Sequence, residues 1–335
     1  MNNLAIIGIL LLVCDTAMVT PGGCAFTQPH AICSPLHHPT APGSIITVDD
    51  DGDGDYLSVQ EAVQNANPGD TIEVYSGTYY ETNITIATSH ITLLGIPHEL
   101  GNGSGSGKPF VNGQGHGAAV WINASSVVFS GFHVENWAND SGGVDLAIDG
   151  DFIVVSNNDI SNAYFALIDC GHCHNCSILN NTLSHTNYEA AIATYYLCSY
   201  LTVAGNTISY APIGVELWES PHNIVKRNTI THCWHGIDIT SDKNTISRNA
   251  LQNNTLGITI SGYGNVVRQN NFINNKKHAT FVIPPSMWHG PGYIRWIRNY
   301  WNRSRMFPYV IHGMTFLLPW LNVDWLPALK PYDTS

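Results

Sequence analysis

Charge is what this chain has least of. Only 11% of its 335 residues are Asp, Glu, Lys or Arg, under half the share of an ordinary soluble domain. Basic residues are the scarcer sign, 13 against 25 acidic, and the net charge is −12. No basic run exceeds Lys226-Arg227 or Lys276-Lys277, so the basic face that nucleic acid requires is not expected. Long apolar runs are missing as well. Met314–Leu321 is short and broken by Pro319, and nothing after the N-terminus approaches the roughly 20 residues of a membrane-spanning helix. A helical period of 3.6 is absent from residues 120–300, which argues against bundles, coiled coils and helical repeats.

Leu4–Val13 is a ten-residue apolar run without charge. It is half the length of a membrane span and suits the core of a signal peptide, although Met1-Asn2-Asn3 supplies no basic residue. Small residues follow, and Ala25 is a reasonable cleavage point. Cys14 follows Val13 where a lipid-anchored cysteine would follow a small residue. Export makes a surface glycoprotein an open reading of the eight Asn-x-Ser/Thr sequons, at Asn83, Asn102, Asn123, Asn139, Asn175, Asn180, Asn253 and Asn302. It also makes disulfides an open reading of the eight cysteines.

What the chain does have is asparagine, 32 residues, and glycine, 30 residues. The asparagines recur in phase. Asn158, Asn181, Asn206, Asn228, Asn249 and Asn270 each stand second in a five-residue unit such as NNDIS, GNTIS or RNTIT, at spacings of 23, 25, 22, 21 and 21. Asn223, Asn244 and Asn265 keep the same period, as do the strand motifs GVEL (214–217), GIDI (236–239) and GITI (257–260). A period of 20–25 residues built from short strands predicts a solenoid in which equivalent side chains form columns. Val215, Leu217, Ile237, Ile239, Ile258 and Ile260 should then point inward, and the turn asparagines should bond to their copies one coil away, some in left-handed backbone. Exposed ends of the stack need covers. Ser58-Val-Gln-Glu61 reads as a capping box opening a helix whose Val59, Ala62, Val63 and Ala66 share one face.

The segment YLSVQEAVQNANPGDTIEVYSGTYYE (56–81) resembles the opening of right-handed parallel β-helix proteins. PFVNGQGHGAAVWINASSVVFSGFHV (109–134) is similar to the next signature of that superfamily. The asparagine repeats and the ending RNYWNRSRMFPYVIHG…NVDWLPALKP resemble the NosD-like branch, the periplasmic copper-binding group with its archaeal surface relatives. The resemblance spans about residues 45–333. It implies an all-β right-handed parallel β-helix, and it raises copper as a cargo or ligand. Relatives carry an acidic Gly-Asp loop where this chain has Arg303–Phe307, so calcium is not expected there.

Four sites are candidates. Asp49–Asp55, DDDGDGD, matches the start of a calcium loop, but its twelfth position is Gln60 in place of a bidentate carboxylate. An acidic turn before a helix N-terminus explains the same residues without a metal. Cys170, His172, Cys173, His174 and Cys176 form the densest group of soft ligands and suit copper or zinc. A disulfide or buried cysteine ladder is the competing reading, because Cys173 and Cys198 stand equally far before their repeat asparagines. Aligned on the glycine of the GVEL-type strands, the outward residues are Asp145, Ala193, Glu216, Asp238 and Thr259. Glu216 and Asp238 would sit one rung apart, with Tyr195 and Trp218 stacked beside them. Paired carboxylates next to aromatic rings suit sugar binding or acid/base catalysis, and a plain solvated face is the alternative. A lyase would also need a basic residue nearby, and Arg227 in a neighbouring turn is the available one. Gly115-His116-Gly117 echoes a polygalacturonase motif without the paired aspartates that precede it, and reads as a turn.

The organisation expected is a signal peptide at 1–25, a linker or extended arm at 26–47, a parallel β-helix of nine or ten coils at 48–300 and an irregular cap at 301–335. The expected function is that of an exported envelope or cell-surface protein, non-catalytic, binding carbohydrate or building an envelope layer. A polysaccharide lyase or glycoside hydrolase using Glu216 and Asp238 is one alternative. A copper-handling accessory protein is the other.

Overall fold

The computed structural model describes residues 43–136, 144–195, 197–283, 294–315 and 318–334. The signal-like segment 1–25, most of the expected arm and Asn139 lie outside the described residues.

The chain winds as a right-handed parallel β-helix. Each coil adds one strand to each of three sheets, which contain eleven, ten and eleven strands. The first sheet runs from Ile45–Val48 to Ile294–Ile297, the second from Thr78–Tyr80 to Tyr300–Trp301 and the third from Ile84–Ile86 to Leu318–Asp324. Every described pairing between successive coils is parallel except the last, where Tyr309–Thr315 and Leu318–Asp324 form an antiparallel hairpin. Two boundaries therefore differ from expectation. Ile45–Val48 is a paired strand of the first coil, because its alternating apolar residues extend the sheet by one rung. The C-terminal cap is built on a hairpin that continues the third sheet.

Strand alternation makes the core. In the first sheet Ile72, Leu93, Phe129, Val155, Ile178, Val203, Val225, Ile246, Val267 and Trp296 form one inward column in register, all of it buried. In the third sheet Val215, Leu217, Ile237, Ile239, Ile258 and Ile260 are each 0% exposed, as the repeat predicted.

The corner between the first two sheets takes two residues, and they divide the work. The first adopts left-handed backbone: Asn157, Asn180, Gly205, Arg227, Arg248, Gln269 and Arg298 have φ between 53° and 69°. The second is the ladder asparagine, buried, with its Oδ1 accepting the backbone N–H of its copy on the preceding coil. This runs Asn158, Asn181, Asn206, Asn228, Asn249, Asn270, Asn299 at 2.9–3.0 Å. Left-handed turns and hydrogen bonding between copies were both expected, but of the same residue. The ladder ends on Asp324, whose carboxylate accepts from the backbone N–H of Arg298 and Asn299 and from Trp301 Nε1.

At the other end, helix Val59–Asn65 covers the core with Val59, Ala62 and Val63 buried. Ser58 caps it by accepting from Glu61 N. Glu81, from the turn below, adds three bonds, accepting from Ser58 Oγ, Val59 N and Gln60 N.

Candidate functional site

The outward face of the third sheet carries one continuous column: Trp121, Ala147, Asp169, Ala193, Glu216, Asp238, Thr259 and Thr280. Glu216 and Asp238 are direct neighbours on adjacent strands, as the spacing predicted. Asp145 is not in the column. Val215 pairs through Ile192 and Ile168 to Leu146, so the glycine alignment was two residues out at that coil, and Ala147 and Asp169 take the outward positions. Asp145 is instead fully buried, and burial followed by the charge of Glu135 pushes its carboxyl well above the usual range.

Asp169 is the site residue that sequence reasoning missed. Burial raises its carboxyl to about 6, with the Glu189 charge adding to the effect. Glu216 is likewise pushed up to about 6, first by burial and then by Asp238 and Glu189, against an opposing pull from His235. His235, also missed, sits three residues before Asp238 and meets it Nδ1 to Oδ2 at 2.8 Å. Tyr195 donates its hydroxyl to Glu189, and its ring meets Trp218 edge-on, with centroids 5.9 Å apart and planes at 87°. The contact is T-shaped.

The corner between the second and third sheets borders this face and is lined with rings. His185, Tyr210 and His232 stack over consecutive coils with centroids 4.9 and 5.1 Å apart, and Tyr164 stacks on Tyr188 at 5.0 Å. Tyr188 is 67% exposed and Trp234 69%. Arg227 is not beside the acids. It lies at the corner between the first and second sheets, with Lys226, Arg248, Arg268 and Arg298 exposed around it on successive coils. A basic stripe thus exists that no sequence run announces.

The five expected metal ligands do not converge. Cys170, Cys173 and Cys176 are buried in the core with Cys198, whereas His172 and His174 face outward toward Asp149 and Asp151. The turn sends every third residue, 170, 173 and 176, inward and leaves the histidines between them outside, which separates the two sets. Cys173 and Cys198 lie on adjacent coils, with Ser199 N donating to Cys173 O, but both are free thiols rather than a bridge. The neighbouring thiols Cys170, Cys176 and Cys198 push the Cys173 thiol far up, while Cys173 lowers those of Cys176 and Cys198. Cys198 Sγ donates to Gly171 O at 2.9 Å and Cys176 Sγ to Gly150 O at 3.3 Å. Among the described residues, no three Cys or His ligand atoms lie within 4.8 Å of one another. Sealed thiols already spent on carbonyl oxygens do not fit a copper or zinc centre.

Seven of the eight sequon asparagines are described and all seven are exposed. Asn83, Asn175, Asn180, Asn253 and Asn302 occupy left-handed turn positions with φ of 54–61°.

Three solved structures share the fold at low identity. Pectate lyase Pel9A aligns with a TM-score of 0.54 and 13% identity over 73% of this chain and 76% of that one. The GH136 lacto-N-biosidase from Eubacterium ramulus aligns at 0.51 and 12% over 82% and 68%. XylC in its complex with xylose aligns at 0.53 and 10% over 77% and 83%. No curated protein matches the chain in sequence. Residues 101–316, well over half of the chain, match the model of the family described as periplasmic copper-binding protein (NosD), and the protein belongs to that family.

Proposed function

We propose that the protein is an exported, carbohydrate-binding β-helix whose binding surface is the third-sheet face from Asp169 to Asp238. One observation carries the reading: half-buried carboxylates stand in register on neighbouring coils between Tyr195 and Trp218 and an exposed aromatic corner. Ring faces accept the C–H surfaces of sugars, and carboxylates accept hydrogen bonds from their hydroxyls. The coil repeat of about 4.8 Å is close to the length of one sugar unit, so an extended glycan can follow several coils. The likeness to two carbohydrate-active enzymes and to a xylose complex supports the same class of ligand. The test is a glycan array with the purified chain, followed by titration of a responsive glycan into Trp218→Ala. Binding should weaken about tenfold with little change in melting temperature, and undiminished binding removes this face.

A glycoside hydrolase or polysaccharide lyase is the second reading, favoured by Asp169 and Glu216 both lying near pH 6, where a carboxyl can give or take a proton. Turnover of a glycan that disappears in Glu216→Gln and Asp238→Asn supports it, and turnover that survives both removes these residues as catalysts. Copper handling by the Cys170–Cys176 segment has the least support, because its thiols are sealed. Metal analysis of the purified protein tests it directly.

A further inference from the structure

The acidic turn Asp49–Asp55 follows the first strand and leads into the capping helix. As a twelve-residue calcium loop it would close on Gln60, but Gln60 Oε1 is occupied, accepting from Thr85 N at 2.7 Å. The turn meets a different partner. The connection between strands Thr92–Gly95 and Phe110–Asn112 folds over it and delivers Glu99. One carboxylate oxygen each from Asp49, Asp50 and Glu99 lie within 4.8 Å of one another.

Two of these oxygens lack what buried oxygens require. Asp49 is 0% exposed. Its Oδ2 accepts from Asp53 N at 3.1 Å, while its Oδ1 is buried with no donor. Glu99 repeats the pattern: Oε2 accepts from Gly105 N at 2.6 Å, and Oε1 is buried with no donor. Ionised carboxylates only accept hydrogen bonds, so two of them turned together cannot satisfy each other, and an uncompensated buried charge is costly. Among the described residues, no lysine or arginine forms an ion pair with the group.

The surroundings are shaped to keep the acids close. A Cβ at Gly77 would collide with the Asp50 carboxylate, at Gly103 with Asp51 and Glu99, at Gly105 with Glu99 and at Gly101 with Asp53. Asp50 Oδ2 is held by Thr78 N at 2.9 Å. The glycine-rich run 101–107 therefore allows backbone to close on three carboxylates, Asp51, Asp53 and Glu99, and Gly77 does the same for Asp50, where side chains would hold them apart.

We propose that Asp49, Asp50 and Glu99 form a calcium site that fastens the Glu99 loop to the turn in front of the capping helix. All three ligands are hard oxygens drawn from two irregular loops. That suits Ca²⁺, which takes six to eight oxygens in flexible geometry, better than Mg²⁺, which demands a near-ideal octahedron. Water and neighbouring oxygens complete the shell. The site is independent of glycan binding on the third sheet.

The experiment is calorimetric titration of CaCl2 into the full chain after EDTA treatment and dialysis, paired with thermal melts in calcium and in EDTA. Saturable binding of one ion per chain and a higher melting temperature in calcium are expected. Glu99→Gln should weaken binding at least tenfold and abolish the calcium-dependent shift, whereas Glu61→Gln, on the exposed side of the helix, should change neither. Asp50→Asn, at an exposed ligand, should give the same loss and decides the matter should Glu99→Gln fail to fold. Absence of binding in the wild-type chain, or unchanged affinity in Asp50→Asn, overturns the proposal.

Discussion

At a coil corner the two adjacent positions have opposite requirements. The left-handed position tolerates Asn, Gly, Arg or Gln because its side chain points to solvent. The position after it needs a side chain that accepts and donates at once. Asn228 shows why: its Oδ1 accepts from Asn206 N while its Nδ2 donates to Val203 O at 3.0 Å. Asn228→Ala should destabilise the fold by roughly 2–4 kcal/mol, since it orphans at least two buried backbone groups; urea melts measure it. The ladder asparagines and their bonding to copies were legible because they recur in phase, but the assignment of the left-handed backbone to the residue before each was not, since that position varies among Asn, Gly, Arg and Gln. Asp169 was illegible for a different reason. Its strand, Ile168–Cys170, lacks the glycine that marked the later strands, and the repeat there stretches to 23–25 residues. Asp169 and Glu216 also make stability depend on pH. Each is held near 6 in the fold against ordinary values of 3.8 and 4.5, so the folded chain binds these protons more tightly than the unfolded one. Their contribution is fully present below about pH 4 and is lost as pH rises through about 6. Asp169→Asn should therefore raise stability at pH 7.5 by on the order of 2 kcal/mol and leave it little changed at pH 4. Glu216→Gln should follow the same direction with a smaller effect, because water screens its more exposed carboxyl. Melting curves at the two pH values distinguish these outcomes.

At the scale of elements, each strand is only two to seven residues long and holds its place through its neighbours on adjacent coils. A change at one rung is therefore felt along a column. Ile239, 0% exposed between Leu217 and Ile260 in register, is such a position, and Ile239→Asp would bury an unpaired charge. It should prevent folding, read as loss of soluble protein and of the cooperative melt. Asp324 serves the last coil in the same way, giving two buried donors and one half-buried donor their acceptor. Asp324→Ala should cost roughly 3 kcal/mol or more, and hydrogen exchange should quicken first at residues 294–301. The cysteine turn is a third case. With Cys170, Cys173, Cys176, Cys198 and Cys233 buried, and Cys233 pushed up to about 11 by burial, these five thiols should resist a thiol reagent in the native state and react on unfolding. The sequence brought the cysteines and histidines of 170–176 together in one short run. The turn that follows Cys170 sends every third residue inward and the histidines outward, which composition could not show.

For the whole molecule, the period was the readable quantity. Repeats of 21–25 residues, a capping box and an inward apolar column were enough to name the architecture, and the three sheets follow that reading closely. What the period also does is gather residues that are distant in sequence. Asp169, Glu189, Glu216, Asp238 and His235 meet on one face, Lys226, Arg227, Arg248, Arg268 and Arg298 on another, and Glu99 reaches Asp49 across fifty residues. Sites of this kind become legible only once the register is known to the residue, because a one-residue slip turns a side chain to the other face. The C-terminal hairpin has a consequence of its own. A stack of parallel rungs offers each end as a template on which another copy could continue, which is the geometry of a growing fibril. Here the last strand of the third sheet runs backward against Tyr309–Thr315 and carries Pro319, which has no N–H to offer. An incoming rung of the same polarity finds the direction reversed and a donor missing, so at the third sheet the hairpin acts as a stop codon written in backbone.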